Sequence, residues 1–557
     1  MAQFTPATEV DFVIVGSGAA GGIMAKQLST AGFKVVVLEQ GGWGKYGHEQ
    51  DYTKDEWLND NPSPEDQLMS DPSGRQRNTF RRNDKEKATA GSHSYGCVVG
   101  GGTVTYGGSS WRHLPWEFNE ASTVGTIAGS GLADWPVSYE ELEPYYTQAE
   151  WEMGISGQRV TSPFVAPMSK DYPVPAAPLK SSGALFNVAA AKLGLTVVPG
   201  PLAIITKPYM GRAACVNCGM CSGFGCHVKA RSSSAVTMLP LAEKTGNCEI
   251  RANAYVKEVS TDNSGRVTGV VYFDAQKREI RQRARIVILS ANASETPRLL
   301  LLSKSTRFPD GLANSSGMVG RYLMLGGIAG ASGLFEHRLN DYKGVVTGAG
   351  IVDYVPSDPK RGFYGGGRMT ARGYDTPINY GLRGLQPGAP RWGALYKKAL
   401  REEAGHKMAV QCFVTQLPVE TNRVDLDPEV KDDWGLPAMR ITSTSHPDDI
   451  KNMEFFRQKS VEILEAAGAT KVWAPPVNDS RGSAHNRGTC RMGNDPKTSV
   501  VDKFHRAHDV PNLYIIDGSN LVTGGRNHPT MTIQALAFRA AEHLVREAKR
   551  GTLRSGA

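Results

Sequence analysis

The chain has 557 residues, 40% hydrophobic and 21% charged, and carries a formal net charge of +8 from 63 basic and 55 acidic side chains. That length supports two or more domains around a large core, and the scatter of Lys and Arg argues against a nucleic-acid partner, which would need a basic stripe. No run approaches the roughly 20 apolar residues of a membrane helix.

Asp11 to Val15 opens the chain as a short β-branched run, as expected of a strand buried on both faces. Gly16, Ser17, Gly18 and Gly21 follow in G-x-G-x-x-G spacing. The first glycine makes the tight turn, the second lets backbone approach a pyrophosphate, and the third lets helix pack on strand. Ala20 to Ala31 reads as the helix whose N-terminal amides face that anion. Val35 to Leu38 is a second strand, and Glu39 stands at its end, placed to accept hydrogen bonds from a ribose hydroxyl.

The polar stretch 43–90 lacks sustained periodicity and is expected to be a surface excursion, a lid or an edge for a partner. Gly100, Gly101, Gly102, Thr103 and the residues to Ser110 form a second glycine-dense segment, able to bring backbone amides against a large flat ligand. Helices are predicted over Tyr139–Met153 and Ser182–Leu193. Glu249–Val259, Val267–Phe273 and Arg285–Leu289 alternate like strands and lead into a turn and helix at Ala291–Leu300. From Gly326 to about Val472 the composition shifts to glycine-rich strands, with Lys407–Gln416 a predicted strand. A closing helix is predicted over Thr532–Lys549.

Four of the eight cysteines, Cys215, Cys218, Cys221 and Cys226, crowd one short loop over 212–230. Their tight spacing differs from the paired knuckles of a zinc site and is nearer the consecutive run that wraps an iron–sulfur cluster. Structural thiols and zinc stay open as alternatives.

Four segments together resemble the glucose–methanol–choline (GMC) family of FAD oxidoreductases: the N-terminal fingerprint, Gly100 to Ser110, Ala291 to Leu300, and His485-Asn486-Arg487-Gly488-Thr489-Cys490 through Asp517-Gly518 to His528-Pro529-Thr530. With its cysteine loop, the chain looks most like the large subunits of gluconate, ketogluconate and fructose dehydrogenases. The resemblance implies an α/β fold with a Rossmann-type FAD-binding domain and a second, sheet-based substrate domain. The expected division is 1–325 and 485–557 for FAD, and 326–484 for substrate. It implies FAD contacts at Asp517, Gly518 and Thr530, with the adenine passing Val256. It implies an iron–sulfur cluster on the four cysteines, three-iron rather than four-iron.

Many relatives carry His-Trp where this chain has Thr105-Tyr106, so FAD is expected to be bound non-covalently. His485 and His528 fall at the positions of the family's reactive-face pair, but many close relatives have Asn where this chain has His528, so the pair here is His–His rather than His–Asn. Oxidising an alcohol needs its hydroxyl proton removed as hydride leaves, and histidine titrates in the right range. His485 is assigned as base, with an apparent pKa in roughly the 6–8 range, and His528 as the partner that holds the hydroxyl. His113, His227, His505 and His508 are read as structural. The implied reaction is oxidation of an alcohol, on a sugar, sugar acid or glycoside, with electrons passed through the cluster to a cytochrome c or quinone. An oxygen-reducing oxidase, or a dehydrogenase of a non-sugar alcohol, is the alternative. Met1 to Glu9 has no signal core, so a cytoplasmic protein is expected, or a periplasmic one co-exported with a small partner subunit.

Overall fold

In the computed structural model of the protein, residues 2–43, 78–91, 93, 95–219, 221–373, 380–477 and 484–551 are described. Its first sheet has seven strands built around Val10–Val15. That strand pairs in parallel with Val35–Leu38 on one side and with Glu279–Leu289 on the other. Cys248–Arg251 extends the sheet beyond Val35–Leu38, and Leu513–Ile515 joins it along Val287 to Leu289, both in parallel. Helices Ala19–Thr30 and Thr530–Arg550 cover it, and Val13, Ile14, Ile23, Val36, Ile288 and Phe538 belong to one buried core. A parallel sheet covered in this way is hydrophobic on both faces, which is why its strands read as unbroken apolar runs.

Strand Glu279–Leu289 serves two pairings. Its first half lies antiparallel to Val267–Phe273, with Gly269 opposite Arg283 and Phe273 opposite Glu279. There alternate residues are exposed, whereas Ile286 to Leu289, in the parallel half, are all buried. The change of period along one strand marks where solvent gives way to core. Glu249–Val259, read above as one strand, is two: Cys248–Arg251 and Tyr255–Thr261. Asn253 between them takes φ +53°, and this left-handed residue turns the chain from the parallel sheet into the antiparallel hairpin.

The second sheet has six strands, in the order Lys471–Trp473, Gly327–Leu334, Lys407–Val414, Gly367–Arg372, Thr347–Ile351 and Val197–Pro199, all antiparallel. Helices Ser181–Leu193 and Pro447–Ala466 pack on one face, through Phe186, Phe456, Ile463 and Leu464. Met408, Val410, Cys412 and Val414 point into that layer, so the period of two turns Gln411 and Phe413 to the opposite face. Gln411 and Phe413 on that face line the functional site.

A third sheet of four strands joins Arg423–Lys431 and Pro437–Thr442 to Asn78–Arg81 and Thr89–Ala90. The described end of the expected excursion 43–90 is therefore sheet; the rest of that stretch lies outside the described residues. Among the described residues no helix is long and apolar enough to cross a membrane.

Candidate active site

The glycine loop after the first strand is shaped by backbone crowding. Gly16 has φ +95°, and a Cβ there would stand 2.4 Å from the carbonyl oxygen of Ser290. A Cβ on Gly21 would stand 2.0 Å from the carbonyl of Gly16, so this glycine is what lets the helix pack on the loop. Gly18 precedes the helix and supplies no side-chain cap, leaving the first amides free for an anion.

Ser17 ties the loop to its neighbours. Its amide and hydroxyl donate to Glu39 Oε2 at 3.0 and 2.7 Å, and its hydroxyl accepts from the Gly100 amide at 2.9 Å. Gly41 donates to Glu39 Oε1 at 3.0 Å. Burial pushes the Glu39 carboxyl above its ordinary pKa, against the hydrogen bonds from Gly41 and Ser17. Thr103 completes the link: its hydroxyl donates to the Gly100 carbonyl at 2.6 Å and accepts from the Ser234 amide at 3.0 Å. The two glycine-dense segments, far apart in sequence, form one wall.

That wall encloses a cavity of about 460 Å³. Gly16, Ser17, Gly18, Glu39, Gly101 and Thr103 line it, as do Val256, Asp517, Gly518 and Thr530. Gly21 and Gly100 stand behind the lining and act through packing and the Ser17 hydrogen bond. A Cβ built on Gly102 or Gly107, which also line the cavity, would meet no atom within 4 Å, so the space before them is left to a ligand. Asn486 Oδ1, buried on the lining, has no hydrogen-bond partner among the described residues. Asp517 accepts from Thr296 Oγ1 at 2.6 Å and from the Ser519 amide at 2.8 Å, and burial raises its pKa. The cavity, the open helix N-terminus, the glycine wall and the buried carboxylate of Glu39 together fit FAD.

His485 and His528 come together at one end of this cavity, their ring centroids 4.8 Å apart and their planes at 71°. Phe413 packs on both, at 4.9 Å from His485 and 4.1 Å from His528. The expected pKa near neutrality is not what this pocket produces. Burial, then Arg372, Arg487 and Arg368, push His528 down to about 3. Burial, the neighbouring His528, Arg487 and Arg372 push His485 well below its ordinary value. Burial disfavours the charged ring and nearby cations disfavour it further, so both imidazoles are neutral at physiological pH. Each can accept a proton, and neither arrives already charged. His528 Nδ1 is buried with no hydrogen-bond partner among the described residues.

Sequence reasoning missed the second-sheet contribution: Arg372, Gln411 and Phe413 line the histidine end of the cavity. For Gln411 and Phe413 the signal was available, since alternation along Lys407–Val414 sets them opposite Met408 and Val410. Nothing in the glycine-rich text marks Arg372. Among the remaining histidines, His113 and His505 are buried and pushed to about 4 by that burial, His508 pairs with Ser499 at 2.9 Å, and His227 is exposed.

The cysteine loop departs from expectation. All eight thiols are free, and among the described residues no three His, Cys, Asp or Glu side chains form a group that could hold a metal ion. Cys215, Cys218, Cys221 and Cys226 are near enough to influence one another's ionisation, yet Cys221 is buried, Cys218 exposed, and the other two half-buried. Asn217, Gly219 and Gly223, in the left-handed region, turn the chain between them. Burial pushes the Cys221 thiol up to about 12, so it is protonated as it stands. The loop is nevertheless fastened to the cavity wall. Gly223 donates its amide to the Thr105 carbonyl at 2.8 Å, Arg231 Nη2 reaches the carbonyls of Val104 and Phe224, and Ser222 lines the cavity.

A parallel dinucleotide-binding sheet, a second sheet closing over it, and two neutral imidazoles at their junction define an FAD-dependent alcohol oxidoreductase. The chain belongs to the GMC oxidoreductase family, whose N-terminal model matches residues 10–325 and whose C-terminal model matches 418–537. It is 36% identical to a 2-methyl-1,2-propanediol dehydrogenase of Mycolicibacterium austroafricanum, over 97% of this chain and 96% of that protein. It is 31% identical to the fructose dehydrogenase large subunit of Gluconobacter japonicus, over 97% and 98%. A solved formate oxidase variant from Aspergillus oryzae superposes with a TM-score of 0.69 at 16% identity, over 99% of this chain and 100% of that one, a likeness of fold.

Proposed function

We propose that this protein oxidises a hydroxyl group of a small polyol, sugar or sugar acid to a carbonyl and passes the electrons to an acceptor other than oxygen, such as a cytochrome c or quinone. The observation that carries the reading is the pair of neutral, buried imidazoles 4.8 Å apart on the lining of the dinucleotide cavity. FAD, when bound, supplies a two-electron acceptor for the hydride. His485 takes the hydroxyl proton, a step for which a positioned base contributes roughly 10²–10⁴-fold. His528 holds the hydroxyl oxygen and steadies the charge that grows on it. Phe413 keeps both rings in register, and Arg372 and Gln411 face the substrate from the second sheet. The division into an FAD-binding part, 1–325 with 485–557, and a substrate part, 326–484, is part of this reading.

The similarity to a diol dehydrogenase and to a fructose dehydrogenase subunit, at comparable identity and coverage, supports a substrate with neighbouring hydroxyls over a simple alcohol. Anaerobic bleaching of the flavin by a panel of diols, sugars and sugar acids tests this. Bleaching only by monofunctional alcohols, or fast reoxidation by oxygen, would overturn it.

FAD is held non-covalently, because Thr105 and Tyr106 line the cavity without offering an imidazole; acid precipitation then leaves all the yellow colour in the supernatant. The cysteine loop is where an iron–sulfur cluster, three-iron rather than four-iron, would be held, and its attachment to Thr105 beside the cavity supports that placement. The thiols would have to converge and lose protons. Iron and acid-labile sulfide in the purified protein decide the matter, and their absence removes the cluster from the account.

A further inference from the structure

The two most exposed large apolar side chains among the described residues stand three positions apart: Trp392, 84% exposed, and Leu395, 65% exposed. They belong to one element, the helix Gly393–Glu403, with Trp392 as its N-cap. No residue of this helix is buried. Its inner side, where Ala399 and Leu400 are half-buried, is tied down by three side-chain hydrogen bonds: Tyr396 donates to the Gly381 carbonyl at 3.2 Å, and Glu403 accepts from Tyr380 and Gln386, each at 2.7 Å. Lys397, Lys398 and Arg401 on the helix and Arg391 just before it are exposed, against two acids: Glu402, which stands 3.9 Å from Lys398, and the inward-facing Glu403. Leu382, 54% exposed, follows the Gly381 on which the helix rests.

Apolar anchors beside a basic face, on a helix without a core of its own, are the makings of an interfacial helix. Its net positive charge selects the occupant, since a lipid surface carrying anionic headgroups attracts Lys and Arg, and Trp settles at headgroup depth. We propose that helix Gly393–Glu403 docks the protein on an anionic phospholipid surface. Docking there bears on substrate access, because Tyr380 shares with Arg372 the lining of a small cavity of about 120 Å³, and Arg372 also lines the main cavity.

The test uses the holoenzyme with sedimented vesicles of phosphatidylcholine alone and of phosphatidylcholine containing phosphatidylglycerol, without substrate, so its outcome is independent of the reaction assigned above. Binding is expected only to the anionic vesicles, weakening steeply with salt. The triple variant Lys397→Glu, Lys398→Glu, Arg401→Glu should lose about 100-fold or more in partitioning. Trp392→Ser should also bind weakly, while flavin reduction by soluble substrate stays unchanged in both. Equal binding to neutral vesicles, or parental binding by Trp392→Ser, overturns the proposal. So does concentration-dependent self-association of the parent that Trp392→Ser abolishes, which would assign the helix to a second copy of the chain.

Discussion

The pH dependence of flavin reduction follows directly from the histidine pocket. An unperturbed histidine at pH 5 would be about 97% protonated, whereas a group with pKa 3 is about 1% protonated there. His528 is pushed down to about 3, and His485 is lowered by burial, by His528 beside it and by Arg487 and Arg372. The sign is fixed: a base works only when neutral, and a lowered pKa extends the neutral form toward acid. The anaerobic rate constant for flavin reduction per unit substrate should therefore be flat from pH 8 through pH 6 and fall only below about pH 5. The assay is stopped-flow bleaching of the flavin absorbance, with near-ultraviolet circular dichroism at each pH to verify that the protein is folded. A rising limb with its midpoint between 6 and 8 would refute this electrostatic reading. It would mean that an ordinary, solvated histidine does the work.

Other consequences can be measured separately. Gly16→Ala forces a side chain to φ +95°, at about 1–2 kcal/mol for the conformation alone, and against the Ser290 carbonyl; the purified variant should contain little FAD, and full flavin content at parental Tm would contradict the crowding argument. Phe413→Ala should lower kcat by about 10- to 100-fold through loosened imidazoles while KM and flavin content change little; an unchanged kcat would remove Phe413 from its positioning role. Folding stability should fall as pH drops from 6.5 toward 4, because His113 and His505 are pushed to about 4 in the folded state and the unfolded chain binds more protons in that window. Each contributes up to about 3 kcal/mol, and a urea midpoint that stays constant across the window would contradict their burial as neutral rings.

Much of the nucleotide half was legible because its signals are local. The Gly16–Gly21 spacing, the apolar run before it and Glu39 after Val35–Leu38 are set by one βαβ unit, whose geometry leaves few alternatives. The strand at Glu249–Val259 was misread because alternation continues across Asn253, and periodicity does not register a single left-handed residue. The histidine pair was found by motif; its ionisation could not be, because the cations that depress it reach it only through the fold. Arg368 and Arg372 arrive from a strand more than a hundred residues upstream of His485. The cysteine loop shows the converse. Short spacers bring thiols near one another in sequence, but the fold buries Cys221 and leaves Cys218 exposed, a difference that spacing alone does not carry.

Single-turnover reduction of His485→Ala under anaerobic conditions decides whether His485 removes the substrate's proton while the flavin stays in place. The variant should retain its full yellow complement of FAD and be bleached by substrate about 10²- to 10⁴-fold more slowly than the parent. Bleaching at close to the parental rate, with FAD bound, would contradict it.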